Sequence, residues 1–410
     1  MGEKMRGAFG EAVRSCFKTI KEETKAKDVI STVLILCLFV FYTLTFFVPK
    51  FYGMTERYVG LFVFAILVPL FLLNVNIIKG LKEKDAGLIA LIILAVATVV
   101  NILIVHSGFG CFFVAVDFAV IIYLSGRMRF MKWQFWLFGG LYLLMIVYWF
   151  FGVYTWMFAD YTSFAMNTNT AATFTVFSMM CAFVFFEALY DRYKVAALLI
   201  VIALVKCLQI SLYHRSRGAF VMLCAYFVFR YLIPKRLWEK KGFFYTICVI
   251  ATFGSLAFAA LYMIIGQSGV NFRMPFFYKN VFSGREAIWL EMWDMFKTKP
   301  LTGIGTNVTI TSFFEFNVHN AMLNILFIHG VIVFALTVYL MFLNWRRIRE
   351  GIASRNAALT ALCAFFAVCV ESFFDVDLIW TDYSVNVLFL LLAMNISAGA
   401  VNTGTGDNSR

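Results

Sequence analysis

AGLIALIILAVATVVNILIV, Ala86–Val105, runs for twenty residues without a charge. At ~1.5 Å per residue a helix of this length covers the ~30 Å hydrocarbon core of a bilayer. Lipid offers no water to the backbone N–H and C=O groups, so the run must satisfy them internally, as a helix. Similar runs extend outward from it in both directions, at 29–48, 58–78, 86–105, 109–124, 133–153, 170–189, 194–212, 217–233, 243–266, 319–343, 356–373 and 383–399. Those near 109 and 217 are short for a crossing. Alternating ten-residue strands, the mark of a membrane β-barrel, are not visible. The pattern predicts an all-α integral membrane protein of about twelve transmembrane helices.

Composition agrees. Of 410 residues 62% are hydrophobic and 14% charged, and the mean hydropathy of +0.84 exceeds that of any soluble domain. The nine cysteines have no spacing that would make a disulfide frame or a zinc site. Cys37, Cys181, Cys224, Cys363 and Cys369 fall within apolar runs and read as small packing residues.

A formal charge of +12 could point to nucleic acid, but its distribution does not. Basic clusters occur before the first run (Lys4 to Lys27) and after the second (Lys79, Lys82, Lys84). Others follow the fourth (Arg127, Arg129, Lys132), sixth (Arg192, Lys194), eighth (Lys235, Arg236, Lys240, Lys241) and tenth (Arg346, Arg347, Arg349, Arg355). In a twelve-span topology all of these lie on one side. By the positive-inside rule that side, with both termini, is cytoplasmic. The chain then divides into a basic cytoplasmic N-terminus (1–28), helices one to nine (29–266), an outward loop (267–318), helices ten to twelve (319–399) and a cytoplasmic tail (400–410). No short apolar core with a cleavage site precedes the first span. Phe9, Val13, Cys16, Phe17 and Ile20 share a helical face opposite lysines, which suits a helix lying on the membrane or a solvated basic tail.

Charge on the outward side runs against this rule and is therefore informative. The turn after the seventh run reads LYHRSRGAF, with Arg215 and Arg217, and the outward loop carries Arg273, Lys279, Arg285, Lys297 and Lys299. Ser216-Arg217-Gly218 opens the eighth run, where free helical amides and an arginine fork suit phosphate oxygens. An interfacial arginine reaching for lipid headgroups fits the same position. In the loop, Ser283 and Glu286 have capping-box spacing, so a helix should start near Gly284 and stop before Pro300. Its apolar stripe of Ile288, Trp289, Met292, Trp293 and Phe296 predicts an amphipathic helix in the outer interface, tryptophans at headgroup level. Arg285 at its start repeats the arrangement at Arg217.

Gly303 and Gly305 flank Ile304 and indicate a tight turn or close backbone approach. His319-Asn320 closes the loop. An imidazole there can accept a proton near neutral pH, or serve structure alone. Lys206, in the outer half of the seventh run, could line the same cavity as Arg215 and Arg217. Glu187, Glu371 and Asp117 must face protein or water. Asp375-Val376-Asp377 has the D-x-D look of a metal site, but acidic outer loops also fit the topology rule.

The ordered set Ser216-Arg217-Gly218, Ser283-Gly284-Arg285 with Trp289, Pro300 to Gly305, and His319-Asn320 resembles the signature of the bacterial O-antigen ligase and O-antigen polymerase family. The resemblance is strongest from about 200 to 345. It implies an integral-membrane glycosyltransferase of the GT-C type in the bacterial cytoplasmic membrane, taking a glycan from undecaprenyl diphosphate at the outer face. The acceptor would be the lipid A core for a ligase, or another lipid-linked repeat unit for a polymerase. No nucleotide sugar, cofactor or essential metal is implied, and nucleic acid is not a partner. Arg217 and Arg285 match the family's diphosphate-binding arginines, and His319 its catalytic histidine. A flippase for lipid-linked glycans is the alternative. It would call for internal repeats and midplane polar sites, and no clear repeat is visible.

Overall fold

Each apolar run carries a helix, because the runs have no other way to satisfy their backbone. The computed structural model describes residues 24–153, 168–269, 272–312 and 318–396. The N-terminal amphipathic segment before residue 24, most of the outer loop 154–169 and the predicted tail 400–410 lie outside the described residues. In chain order the main helices are α1 (Ala26–Phe47), α2 (Val59–Asn74), α3 (Ala86–Val105), α4 (Gly110–Ser125), α5 (Lys132–Tyr148), α6 (Thr168–Arg192) and α7 (Ala196–Tyr213). They continue with α8 (Arg217–Phe227), α9 (Lys241–Gln267), α10 (Arg285–Phe296), α11 (Ala321–Ile348), α12 (Asn356–Glu371) and α13 (Ser384–Met394). No strand occurs among the described residues. One isolated antiparallel bridge joins Arg273 to Asn280.

A helix stands at all twelve predicted positions, but only eight of them are long and apolar enough to cross a membrane. The others are shorter: α4 and α12 have 16 residues each, α13 has 11, and α8 has 11 before a π turn at Val228–Leu232. Every residue of α13 and nearly every residue of α12 is buried, so protein rather than lipid surrounds them. A helix apolar on all sides and enclosed by others need not match the bilayer thickness. The centre of the bundle is α6, 94% of whose apolar window is buried. It packs against α5, α7, α8 and α12. Of the cysteines read as packing residues, Cys181, Cys363 and Cys369 are buried, whereas Cys37 and Cys224 face outward.

Polar groups inside the bundle are joined across helices. The Tyr42 hydroxyl meets Ser178 Oγ at 2.6 Å and accepts from Asn386 Nδ2 at 2.9 Å, while Asn386 Oδ1 accepts from the Tyr142 hydroxyl at 2.7 Å. This network ties α1, α5, α6 and α13, each bond contributing about 1 kcal/mol. Glu187, predicted to need a protein partner, has one in Arg230, at 2.6 Å, with Tyr231 on its other oxygen and Thr360 on Arg230 Nε. Desolvating both charges offsets much of their attraction, so the pair fixes α6, α8 and α12 in register more than it adds stability.

The feature that positions the candidate site is a break in α11. Gly330 has φ 82° and ψ 173°, which interrupts the helix and frees its backbone groups. The segment Pro300–Gly305 runs alongside and satisfies them. Ile304 N–H donates to Phe327 O (2.8 Å), Gly305 N–H to Ile328 O (3.2 Å), and Val331 N–H to Pro300 O (2.9 Å). Asn101 Nδ2 on α3 donates to the His329 carbonyl at 2.5 Å. The two backbones come so close that a Cβ on Gly330 would lie 2.1 Å from Leu301 O, and one on Gly303 2.4 Å from Ile328 O. The two glycines of the loop are thus a strap over a broken helix. Its far end is pinned to the α3–α4 turn, where Ser107 Oγ meets Thr306 Oγ1 at 2.9 Å.

Gly330→Ala or Gly303→Ala should therefore destabilise the protein by about 2–4 kcal/mol, through collision with backbone and a left-handed φ. Thermal unfolding in detergent measures this. Gly140→Ala, where an added Cβ meets nothing within 4 Å, should leave the midpoint unchanged or slightly higher.

Candidate functional site

Four chain segments meet at the end of the bundle that the sequence predicts to face outward. The first is the start of α8. Ser216 caps it, its side chain accepting from Ala219 N–H at 3.5 Å, and Arg217 is its first residue. Arg217 Nη1 donates to the carbonyls of Asn280 (2.7 Å) and Val281 (2.9 Å). Tyr262 on α9 donates to the same Val281 carbonyl at 2.6 Å. Arg217 thus holds the strand of loop that leads into Ser283-Gly284-Arg285. Gly218 follows it where a Cβ would lie 2.8 Å from Glu371 Oε1, so this turn of α8 must be bare to pack on α12.

The second segment is α10. It begins at Arg285 and ends at Phe296, as predicted, but its N-cap is Gly284, in a left-handed conformation, and no side chain caps it. Ser283 is exposed. Half of the predicted capping box survives: Glu286 Oε2 accepts from Gly284 N–H at 3.1 Å. The stripe read as facing headgroups is instead turned into protein. Ile288, Trp289 and Met292 are at most 1% exposed, and Trp293 is the tryptophan left outside. The same apolar spacing serves a lipid face or a protein face, and here α9 and α11 supply the cover. Trp289 Nε1 donates to Val318 O at 2.6 Å, gripping the residue before His319.

The third segment is the entry to α11. His319 has φ 49°, a strained conformation for a residue with a side chain. Asn320, wholly buried, is the N-cap. Its Oδ1 accepts from Leu323 N–H (3.0 Å) and Ser255 Oγ (2.6 Å), and its Nδ2 donates to Phe373 O (3.1 Å). Ala321 N–H donates to Ser372 O at 3.1 Å. Asn320 is therefore the joint among α9, α11 and the turn after α12, with no oxygen or amide left for a ligand.

The fourth segment is that turn, and it supplies what sequence reasoning did not place. Asp375 Oδ1 lies 3.4 Å from His319 Nδ1, and its Oδ2 lies 3.8 Å from Arg285 Nη2. Its Oδ1 also accepts from Val376 N–H at 3.0 Å. One carboxylate thus bridges the predicted histidine and one predicted arginine. The sequence signal was the D-x-D pair, read there as a metal motif or an acidic loop. The partial exposure of Arg285, His319 and Asp375, at 18–29%, leaves the trio open to a ligand.

The electrostatics follow from this arrangement. Burial lowers the Lys279 ammonium from its usual range, and the charges of Arg217, Arg285 and Arg215 lower it further. These four cations therefore share one field. Burial works against the charge of Asp375, but the bond with His319 and the charge of Arg285 prevail and hold its carboxyl below the usual range. Burial and then Asp375 push Asp377 well up, favouring its protonated form. Carboxylate oxygens of Glu371, Asp375 and Asp377 lie within 4.8 Å of one another, close enough to share a cation.

Other predicted residues fall around this centre or away from it. Arg215 is exposed, 5.2 Å over the Tyr278 ring, with Arg273 on the same ring at 5.6 Å. Gly303 and Gly305 shape the strap rather than touching the cations. Lys206 stands apart, partly exposed and 6.0 Å from the Phe150 ring. His329 is buried beside the break in α11, as a packing residue.

No curated protein matches the chain. Residues 202–338 match the family model described as O-antigen ligase. The matched stretch runs from α7 into α11 and holds Arg217, Arg285 and His319, while Asp375 lies beyond it. The match spans 137 of 410 residues, a third of the chain.

Proposed function

We propose that the protein is a membrane glycosyltransferase that moves a glycan from undecaprenyl diphosphate to an acceptor hydroxyl at the outer face of the bacterial cytoplasmic membrane. The observation that carries this reading is Asp375 joined to both His319 and Arg285, beside Arg217 and Lys279. That is a proton acceptor and an anion site built as one unit.

The chemistry divides between them. The acceptor oxygen attacks the anomeric carbon of the donor sugar, and the bond from that carbon to the diphosphate oxygen breaks. The electron pair leaves with the diphosphate, where Arg217, Arg285 and Lys279 stabilise the added charge. The acceptor proton passes to Nε2 of His319, because Nδ1 faces Asp375. Asp375 then stabilises the imidazolium and keeps the ring oriented, a positioning role. Attack from the face opposite the diphosphate inverts the anomeric centre. An acceptor on the lipid A core would make the protein a ligase, and one on a second lipid-linked repeat unit a polymerase. Both use this site.

Reconstituted protein supplied with undecaprenyl-diphosphate glycan and acceptor provides the test. His319→Ala, Arg217→Ala and Arg285→Ala should each lower turnover at least about 100-fold with the fold intact. Transfer undiminished in all three variants would overturn the site, and vectorial movement of lipid-linked glycan without transfer would favour a flippase.

Asp375→Asn should lower kcat about 10- to 100-fold while KM changes little, since the lost interaction is strongest once His319 carries the proton. Asp375→Glu should restore part of kcat. An equal loss in both variants, tracking a lower thermal midpoint, would reduce Asp375 to a structural residue.

A further inference from the structure

At the opposite end of α9 and α11 from His319, a cavity of about 540 Å³ opens on the predicted cytoplasmic side. Lys241, at the start of α9, and Arg346, Arg347 and Arg349, at the end of α11, line it together with Glu350. Four cations thus face one carboxylate. Arg349 is paired with that carboxylate at 3.3 Å, and Arg347 Nη1 donates to the Gly126 carbonyl. Among the described residues neither Lys241 nor Arg346 meets a carboxylate. The positive-inside rule explains why basic residues are on this side. It does not require two helices to converge theirs on one concavity, where they repel one another unless an anion enters.

The rest of the lining shows which kind of anion. Tyr245 on α9 and Leu343 on α11 complete the cavity. Beyond them, toward the membrane interior, Val249 and Phe253 follow at four-residue steps on α9 and Tyr339 on α11, each 41–46% exposed. Deeper still, the rings of Phe253 and Phe334, 6.2 Å apart, close α9 against α11. A charged mouth leading into an open apolar seam matches a molecule with a phosphate at one end and hydrocarbon at the other. A free phosphate would have no use for the seam. We propose that this cavity binds an anionic phospholipid, its headgroup phosphate against Lys241 and Arg346 and its acyl chains along the seam between α9 and α11.

Native mass spectrometry of the full-length protein in detergent tests this, with phosphatidylglycerol, phosphatidylcholine of matched chains, and inorganic phosphate as separate arms. One phosphatidylglycerol should be retained at about tenfold lower concentration than phosphatidylcholine. Lys241→Gln/Arg346→Gln should reduce that preference at least fivefold. Arg129→Gln/Arg236→Gln, which removes two cations outside the cavity, should not. Equal retention of the two lipids, or equal loss in both double variants, would overturn the proposal. So would displacement of the lipid by equimolar inorganic phosphate, which would mark the ligand as a soluble anion. Should the first double variant fail to fold, the exposed Lys241→Gln alone should show at least a twofold loss, and no loss there counts against the site. None of these outcomes depends on glycan transfer.

Discussion

The candidate site rests on a backbone break whose freed groups must find partners within the protein. Where α11 breaks at Gly330, its freed groups have no water to turn to, and Pro300–Gly305 takes the place of the missing helical bonds. The strap therefore cannot drift. Through Thr306 and Ser107 it is also tied to the α3–α4 turn. The part of α11 before the break is fixed in direction by this contact, and His319 and its N-cap Asn320 lead directly into it. The loop that a reader would take for a flexible interruption is instead a structural member. It sets where the imidazole stands.

Around that imidazole, position is specified several times over. Trp289 holds the residue before it, the residue after it, Asn320, is itself locked to α9 and to the turn past α12, and Asp375 engages the ring itself. A left-handed φ at a histidine costs about 1–3 kcal/mol and persists only where its surroundings over-determine it. Strain of this kind, with partial exposure of the ring, is consistent with the role proposed for His319. The same logic separates His319 from His329, which lies buried beside the break with its neighbours packed around it.

Much of this was legible in the sequence, and what was not has identifiable reasons. Positions of the helices followed from hydropathy because apolar runs leave the backbone no alternative. Their lengths did not translate into crossings, because α12 and α13 are enclosed by protein, and enclosure depends on contacts distant in sequence. Arg217, Arg285 and His319 stood out because charge on the outer side opposes topology. Asp375 did not, since acid there obeys topology, and its part is visible only once the turn after α12 folds back on the start of α11. Trp289 was read as a headgroup anchor for a related reason: an apolar stripe names a buried face without naming what buries it. Ser283 lost the cap to Gly284 because the chain needs a left-handed residue to turn into α10.

Charge balance gives Asp375 a further consequence. Burial and the charges of Arg217, Arg285 and Arg215 together lower the Lys279 ammonium, so in the proposed function binding a diphosphate would relieve repulsion among these cations. A single carboxylate among them lessens that repulsion without cancelling it. Asp375 lies nearest Arg285 and His319, so in the proposed reaction it would neutralise the side of the site that receives the proton and leave Arg217 and Lys279 for the anion. Had the carboxylate paired with Arg217 instead, the cation that anchors the loop would have been spent and the imidazole left unsupported. On the proposed function, the placement of this acid would divide the site into a half that accepts the proton and a half that accepts phosphate.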